Sequence, residues 1–126
     1  MQKEVNRMKG TLEKLLHTDV DVELIKGHII FGGAEDDVLW DTCRYIRRMM
    51  KRLTEKEAAC TFEAVLREHG THFVLPEGMM KHMAPGWLID FFVAYAFKEA
   101  KGYKKECRET RKEIDKCVTN AIEKWK

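Results

Sequence analysis

Two short segments of the sequence carry side chains suited to acid–base chemistry. Glu-Asp-Asp at residues 35–37 follows a short apolar run that ends at residue 31, two glycines and an alanine. His-Gly-Thr-His at residues 69–72 follows the probable strand at residues 61–67. A carboxylate beside an imidazole fixes the tautomer of the ring and stabilises the imidazolium that forms when the ring takes a proton. The two segments therefore have the residue types of the acid and the histidine of a hydrolytic triad.

Each segment also has a simpler interpretation. Asp36 and Asp37 precede a predicted helix, where aspartate commonly caps the helix N-terminus. His69 and His72 flank a turn, and turn histidines are mostly surface residues. The order along the chain favours the catalytic interpretation, because acid precedes histidine as in α/β-hydrolases, whose order is nucleophile, acid, histidine.

The elements around these segments predict how they meet. Residues 24–31 and 61–67 are typical of buried strands, and residues 38–53 have the apolar period of an amphipathic helix. Strand, helix and strand form a βαβ unit, which is parallel and right-handed in nearly all proteins. The carboxyl ends of both strands then lie at one sheet edge. We expect an aspartate, Asp36 or Asp37, to meet a histidine, His69 or His72, at this edge.

The rest of the chain predicts helices at residues 2–17, 87–100 and 103–125. The fold class is therefore α/β, a small partial sheet of two parallel strands flanked by helices, in one domain over residues 1–126. Residues 1–20 form its N-terminal helix and loop. Residues 76–86 are rich in Met and Gly, which favours core packing and leaves open an acyl pocket or a lid.

Residues 33–40, Gly-Ala-Glu-Asp-Asp-Val-Leu-Trp, resemble the acid loop of the C-terminal family of acyl-CoA thioester hydrolases and bile acid-CoA:amino acid N-acyltransferases. Residues 69–72 resemble the histidine turn of that family, and the last helix resembles its closing helix, so the resemblance covers residues 21–126. It implies an α/β-hydrolase that acts on an acyl thioester or ester, with Asp37 as triad acid and His72 as triad histidine. The preceding glycine lies one residue further from the acid than in the commonest family pattern, so Asp36 remains an alternative acid.

The nucleophile is missing from this pattern. The sequence contains no serine, and no Gly-x-Cys-x-Gly replaces the Gly-x-Ser-x-Gly elbow. Cys43 lies within a predicted helix and Cys60 opens the second strand. We therefore expect a truncated or split hydrolase that is inactive alone. The alternative is a non-enzymatic α/β dimerisation or binding module that retains parts of a triad.

Composition and charge bear on the partners, metal content and location of the protein. The net charge is +2, and the basic cluster at residues 47–52 has the pattern of a solvated helix face rather than of a nucleic-acid site. No apolar stretch approaches the length of a membrane span, and no signal peptide is evident. The four cysteines lack metal-ligand spacing, so we expect free thiols, no metal, no cofactor and a cytoplasmic location.

The pattern of the first strand indicates a partner chain. It is typical of a strand buried on both faces, yet the sequence predicts only one neighbouring strand for it. An open strand edge is a template for pairing with another chain. We expect either a homodimer or a complementing N-terminal half that carries the nucleophile.

Overall fold

The computed structural model describes residues 1–16 and 21–125, with side chains described for residues 1–9 and 21–125. The regular elements are, in order, α1 Gln2–Leu16, β1 His28–Ala34, α2 Thr42–Glu55, β2 Thr61–Arg67, α3 Glu77–Lys81, α4 Gly86–Ala96 and α5 Lys104–Trp125, with short 3₁₀ turns at Val22–Leu24 and Lys98–Ala100. The loop predicted after α1 falls on residues 17–20, outside the described part. No described helix is long and apolar enough to cross a bilayer.

The sheet has two strands, and they are parallel. His28 lies opposite Thr61 at one end and Ala34 opposite Arg67 at the other. This confirms the predicted α/β class and βαβ unit, and β2 has the predicted bounds. The bounds predicted for β1 were wrong at both ends, because residues 22–24 form a 3₁₀ turn and the strand continues through two glycines.

Those two glycines let helices approach both faces of the sheet. A Cβ atom at Gly32 would lie 2.9 Å from Cδ1 of Ile114 in α5, and one at Gly33 would lie 2.8 Å from Cδ1 of Ile46 in α2. Successive strand residues face opposite sides. The helices α5 and α2 therefore cover opposite faces of β1, and the glycines are part of the strand rather than its end.

The core has two parts. One lies between α2 and the sheet and contains Val22, Phe31, Ile46, Leu53 and Cys60. The other joins α3, α4 and α5 and contains Met80, Ile89, Val93, Ala100 and Cys107. The apolar period of the last predicted helix runs further than its buried face, since Ile122 and Trp125 are 51% and 90% exposed. The buried residues of this helix end at Ile114.

The start of α2 also differs from the prediction. The helix begins at Thr42, and its N-cap is Asp41, whose side chain accepts a hydrogen bond from the backbone N–H of Arg44. Leu39, which lies in the helix predicted at residues 38–53, is outside the helix and exposed. The reason is that residues 37–40 form a turn around a carboxylate, described below, rather than the first turn of the helix.

The polar surface of α2 is held in ion pairs with nearby loops. Arg47 pairs with Glu35, and Arg52 pairs with Glu23 and Asp21. These contacts agree with a solvated helix face. Of the segment at residues 76–86, Met80 is buried in the core while Met79 and Met83 are exposed.

Candidate functional site

The two predicted chemical segments meet at one end of the sheet. Backbone hydrogen bonds continue past the strands, from Glu35 N to Arg67 O at 2.8 Å and from Asp36 N to Glu68 O at 3.2 Å. The loop after β1, called here the acid loop (residues 35–40), is thereby joined to the turn after β2, called here the histidine turn (residues 68–73). The predicted convergence at one sheet edge is confirmed.

Within this junction, Asp37 and His72 form a hydrogen-bonded pair. His72 Nδ1 lies 2.9 Å from Asp37 Oδ2. The side chain of Asp37 is 2% exposed, while that of His72 is 41% exposed. The carboxylate is thus enclosed by protein and the imidazole reaches the surface.

The acid loop folds around the carboxylate of Asp37. Its Oδ1 accepts hydrogen bonds from the backbone N–H of Leu39 at 3.0 Å and of Trp40 at 3.2 Å. Its Oδ2 also accepts a hydrogen bond from the hydroxyl of Thr42. Burial acts to raise the pKa of Asp37, but the hydrogen bonds from Thr42, His72 and the two backbone amides outweigh it and lower the pKa below its usual value. Asp37 is therefore an ionised acceptor at neutral pH.

This geometry determines which nitrogen of His72 is available for chemistry. An ionised carboxylate only accepts hydrogen bonds, so the neutral ring must carry its proton on Nδ1. The lone pair of Nε2 is then free, and no hydrogen bond to Nε2 occurs among the described residues. An imidazole in this state is a general base whose protonated form the buried carboxylate stabilises. The indole ring of Trp40 lies beside it, with ring centroids 6.3 Å apart.

Asp36, the alternative acid, has different partners. Its Oδ1 accepts hydrogen bonds from the backbone N–H of Gly70 at 3.1 Å and of Thr71 at 2.7 Å. Its Oδ2 lies 3.4 Å from Nδ1 of His69. The structure brings Asp37, and not Asp36, to the ring of His72. Neither aspartate caps α2, since that position belongs to Asp41.

Sequence analysis named His69 and the segment that holds Thr71 without predicting their contacts, and it did not name Thr42. Thr42 binds the acid, Thr71 is buried within the histidine turn with φ of 60°, and His69 stacks on Tyr103 with ring centroids 3.7 Å apart. A hydroxyl residue a few positions after the acid was the available signal for Thr42. No local pattern marks the other two, because their contacts come from distant elements.

A buried ion cluster anchors the chain that leaves the histidine turn. Arg111 of α5 donates from Nε to Oε2 of Glu77 at 2.6 Å and from Nη2 to Oδ1 of Asp90 at 2.5 Å. The side chains of all three are between 0% and 5% exposed. Arg108 pairs with Asp90 from the surface side. The signal in the sequence was Asp90, a lone carboxylate in an otherwise apolar helix.

The described side chains form a cleft near this pair but outside it. The cleft, of about 250 Å³, lies beyond His69, against α5, and is lined by several carboxylates, but Asp37 and His72 are not part of its lining. Among the side chains of residues 1–9 and 21–125, no group of three or more His, Cys, Asp or Glu is arranged to hold a metal ion. The four cysteines are free thiols.

Comparison with known proteins identifies the family. The model of the BAAT / acyl-CoA thioester hydrolase C-terminal family matches residues 2–83, about two-thirds of the chain. The matched part includes the acid loop and the histidine turn but ends before α4 and α5, so the resemblance of the last helix to the closing helix of the family stays an expectation. No curated protein and no solved structure gives a significant match. With more than half of its length matched, the chain belongs to the BAAT / acyl-CoA thioester hydrolase C-terminal family.

Proposed function

We propose that this chain supplies the acid–base half of an acyl-transfer site, in which Asp37 is the acid and His72 the histidine of a triad. The substrate class is an acyl thioester or ester, in keeping with the family. The observation that carries the proposal is the hydrogen bond between the buried carboxylate of Asp37 and Nδ1 of His72, inside the matched region.

The proposed chemistry uses Nε2 of His72. As a hydroxyl or thiol nucleophile attacks the acyl carbonyl carbon, its proton passes to Nε2, and Asp37 stabilises the resulting imidazolium. When the tetrahedral intermediate collapses, the bond to the leaving group breaks and His72 gives it the proton. The acyl group stays on the nucleophile. Water or an amine, deprotonated by the same nitrogen, then attacks the acyl carbon. The bond to the nucleophile breaks, His72 returns the proton to the nucleophile, and the acyl product leaves.

The nucleophile in this proposal comes from outside these 126 residues. The sequence has no serine. Cys43, Cys60 and Cys107 are buried. The hydroxyl of Thr42 donates to the acid rather than to the histidine. Oxyanion-hole amides normally flank the nucleophile and an early strand, so they would come with it.

A second polypeptide segment is thus part of the proposal, and β1 is where we infer that it docks. Within the described chain β1 pairs with β2 alone, so its other edge is open. Leaving such backbone groups buried and unpaired costs about 1–3 kcal/mol each. The occupant is either a complementing half that carries the nucleophile or a second copy of this chain. Sedimentation at micromolar concentration tests the second possibility, because a homodimer doubles the mass and a monomer does not.

We also propose a cytoplasmic location. The four cysteines are free thiols, three of them buried. Free thiols persist in reducing compartments. Finding the native protein in an oxidising compartment would contradict this part of the proposal.

The experiment that tests the function is complementation. The reading frame upstream of the coding region is sequenced, and any segment with a Gly-x-Ser-x-Gly or Gly-x-Cys-x-Gly elbow is co-expressed with this chain. We expect hydrolysis of a short-chain acyl-CoA by the pair and none by the chain alone. His72→Ala should abolish the activity. His28→Ala is the control, since His28 lies at the opposite, amino end of β1, and it should retain activity.

A non-enzymatic binding module is the second candidate. Four aromatic side chains of α4 favour this candidate, because each is more than half exposed, which is unusual for a surface without a partner. They are Trp87, Phe91, Phe92 and Tyr95. Under this alternative, the co-expressed pair binds but has no activity that depends on His72. Loss of activity in His72→Ala but not in His28→Ala would eliminate it.

A further inference from the structure

The histidine turn contains a residue in an unfavourable backbone conformation. Thr71 has φ of 60°, in the left-handed region that β-branched residues rarely adopt. Its side chain is 1% exposed, and its hydroxyl accepts a hydrogen bond from Phe73 N at 3.1 Å. Such a conformation costs about 1–3 kcal/mol and persists only where the surroundings impose it.

Asp36 is the group that imposes it. Its Oδ1 binds two successive backbone N–H groups, those of Gly70 and Thr71, from 34 and 35 residues away. Successive N–H groups next to a left-handed residue form a concave anion site, and hydrogen bonds to a carboxylate are stronger than those between neutral groups. The carboxylate of Asp36 occupies this site in place of an external anion.

The next residue after Thr71 is His72, so the backbone at Thr71 sets the direction in which the imidazole leaves the turn. We propose that Asp36 is a positioning residue, and not the triad acid: it holds the backbone of the histidine turn so that His72 meets Asp37. This inference rests on the proposed function for the role of His72, but the geometry that it explains is measurable without any activity.

The remaining oxygen of Asp36 predicts which substitution is tolerated. Oδ2 lies 3.4 Å from Nδ1 of His69, and neither atom has a hydrogen-bond partner within the described part of the chain. An amide at position 36 can do both tasks, because its oxygen accepts from Gly70 and Thr71 while its NH₂ donates to His69. Asp36→Asn should therefore keep the turn, whereas Asp36→Ala removes both contacts. A triad acid behaves differently, since it must be negatively charged and asparagine cannot replace it.

The test is the tautomer of His72, read from long-range ¹H–¹⁵N spectra of the full ¹⁵N-labelled chain above the titration range of histidine. His72→Gln assigns the signal among the five histidines. We expect the Nδ1–H tautomer in the native chain and in Asp36→Asn, and its loss as the major form in Asp36→Ala. The control is Asp41→Ala, which removes the cap of α2 but leaves the histidine turn untouched, and it should keep the native tautomer.

Each outcome separates this inference from the proposed function. If the native chain lacks the Nδ1–H form of His72, the Asp37–His72 pair itself is wrong. If the native chain has it and folded Asp36→Ala keeps it, Asp36 does not position the turn. If Asp36→Asn loses it, the charge of Asp36 is required and the inference is overturned. Should Asp36→Ala fail to fold by circular dichroism, the native tautomer in Asp36→Asn still decides between the two roles.

Discussion

Replacing Arg111 by methionine should cost a large part of the stability of this fold. The guanidinium is fully buried and is the hydrogen-bond partner of Glu77, whose own side chain is 3% exposed. In Arg111→Met, Asp90 keeps its contact with Arg108, but Glu77 is left as an uncompensated buried carboxylate. Removing one partner of a buried ion pair costs about 3–5 kcal/mol.

This loss is large compared with the total free energy of unfolding. Domains are stable by about 0.05–0.15 kcal/mol per residue, or about 6–19 kcal/mol for a chain of this length. The loss corresponds to a fall in Tm on the order of 10–20 °C. Urea unfolding followed by circular dichroism measures it as a lower midpoint with an unchanged slope.

Two further variants test the cause. Arg108→Met is the matched control, because Arg108 is 42% exposed and its loss leaves Asp90 paired with Arg111, so it should cost about 0–1 kcal/mol. Glu77→Met combined with Arg111→Met removes both charges and should recover most of the loss. If Arg111→Met costs less than Arg108→Met, or if the double variant is less stable than Arg111→Met, the reasoning about the buried carboxylate is refuted.

Three other predictions concern the acid, a glycine and the thiols. Hydrogen bonds lower the folded pKa of Asp37 below its unfolded value, so this group stabilises the fold at neutral pH and loses that effect as the pH falls below about 4. Asp37→Asn should therefore flatten this part of a plot of unfolding free energy against pH. An unchanged slope would contradict the lowered pKa. Gly70→Ala would put a Cβ atom 2.9 Å from the Cβ atom of Ala34 and should lower the free energy of unfolding in urea by about 1–3 kcal/mol. Gly102→Ala is the control, because a Cβ atom there meets open space, and it should leave the free energy of unfolding unchanged. Equal effects of the two variants would refute the clash. Burial raises the pKa of the Cys43 and Cys107 thiols to about 11, so both should react with Ellman's reagent at pH 8 only after unfolding, and rapid labelling of the native chain would count against the predicted burial.

The sequence predicted the sheet well because period and order are local signals. The bounds of β2 and the parallel crossover followed from apolar runs and chain order. That the two segments meet followed from two rules, that parallel strands end at one edge and that the acid precedes the histidine. The choice of Asp37 and His72, which form the observed pair, came from the resemblance to the family. These conclusions needed no knowledge of packing.

What the sequence did not predict depends on contacts between distant elements. Glycines at residues 32–33 read as the end of a strand, and only the close approach of α2 and α5 explains why they continue it. The first turn predicted for α2 instead wraps the carboxylate of Asp37. The contacts of Asp36 and Arg111 were hidden for the same reason. Asp36 accepts hydrogen bonds from a turn 34 or more residues away along the chain. The partners of Arg111 lie on two other helices, α3 and α4.

The most direct measurement of the central claim compares the two adjacent aspartates in the complemented enzyme. Acyl-CoA hydrolysis is measured for the co-expressed pair with Asp37→Asn or Asp36→Asn in this chain. Asp37→Asn should lower kcat by on the order of 10⁴, the size of the effect when the triad aspartate of a serine protease becomes asparagine, because the histidine is then held in the wrong tautomer. Asp36→Asn should stay near the native rate. Equal activity of Asp37→Asn and the native pair, or the larger loss in Asp36→Asn, would contradict the assignment of Asp37 and His72 as the acid and histidine of this site.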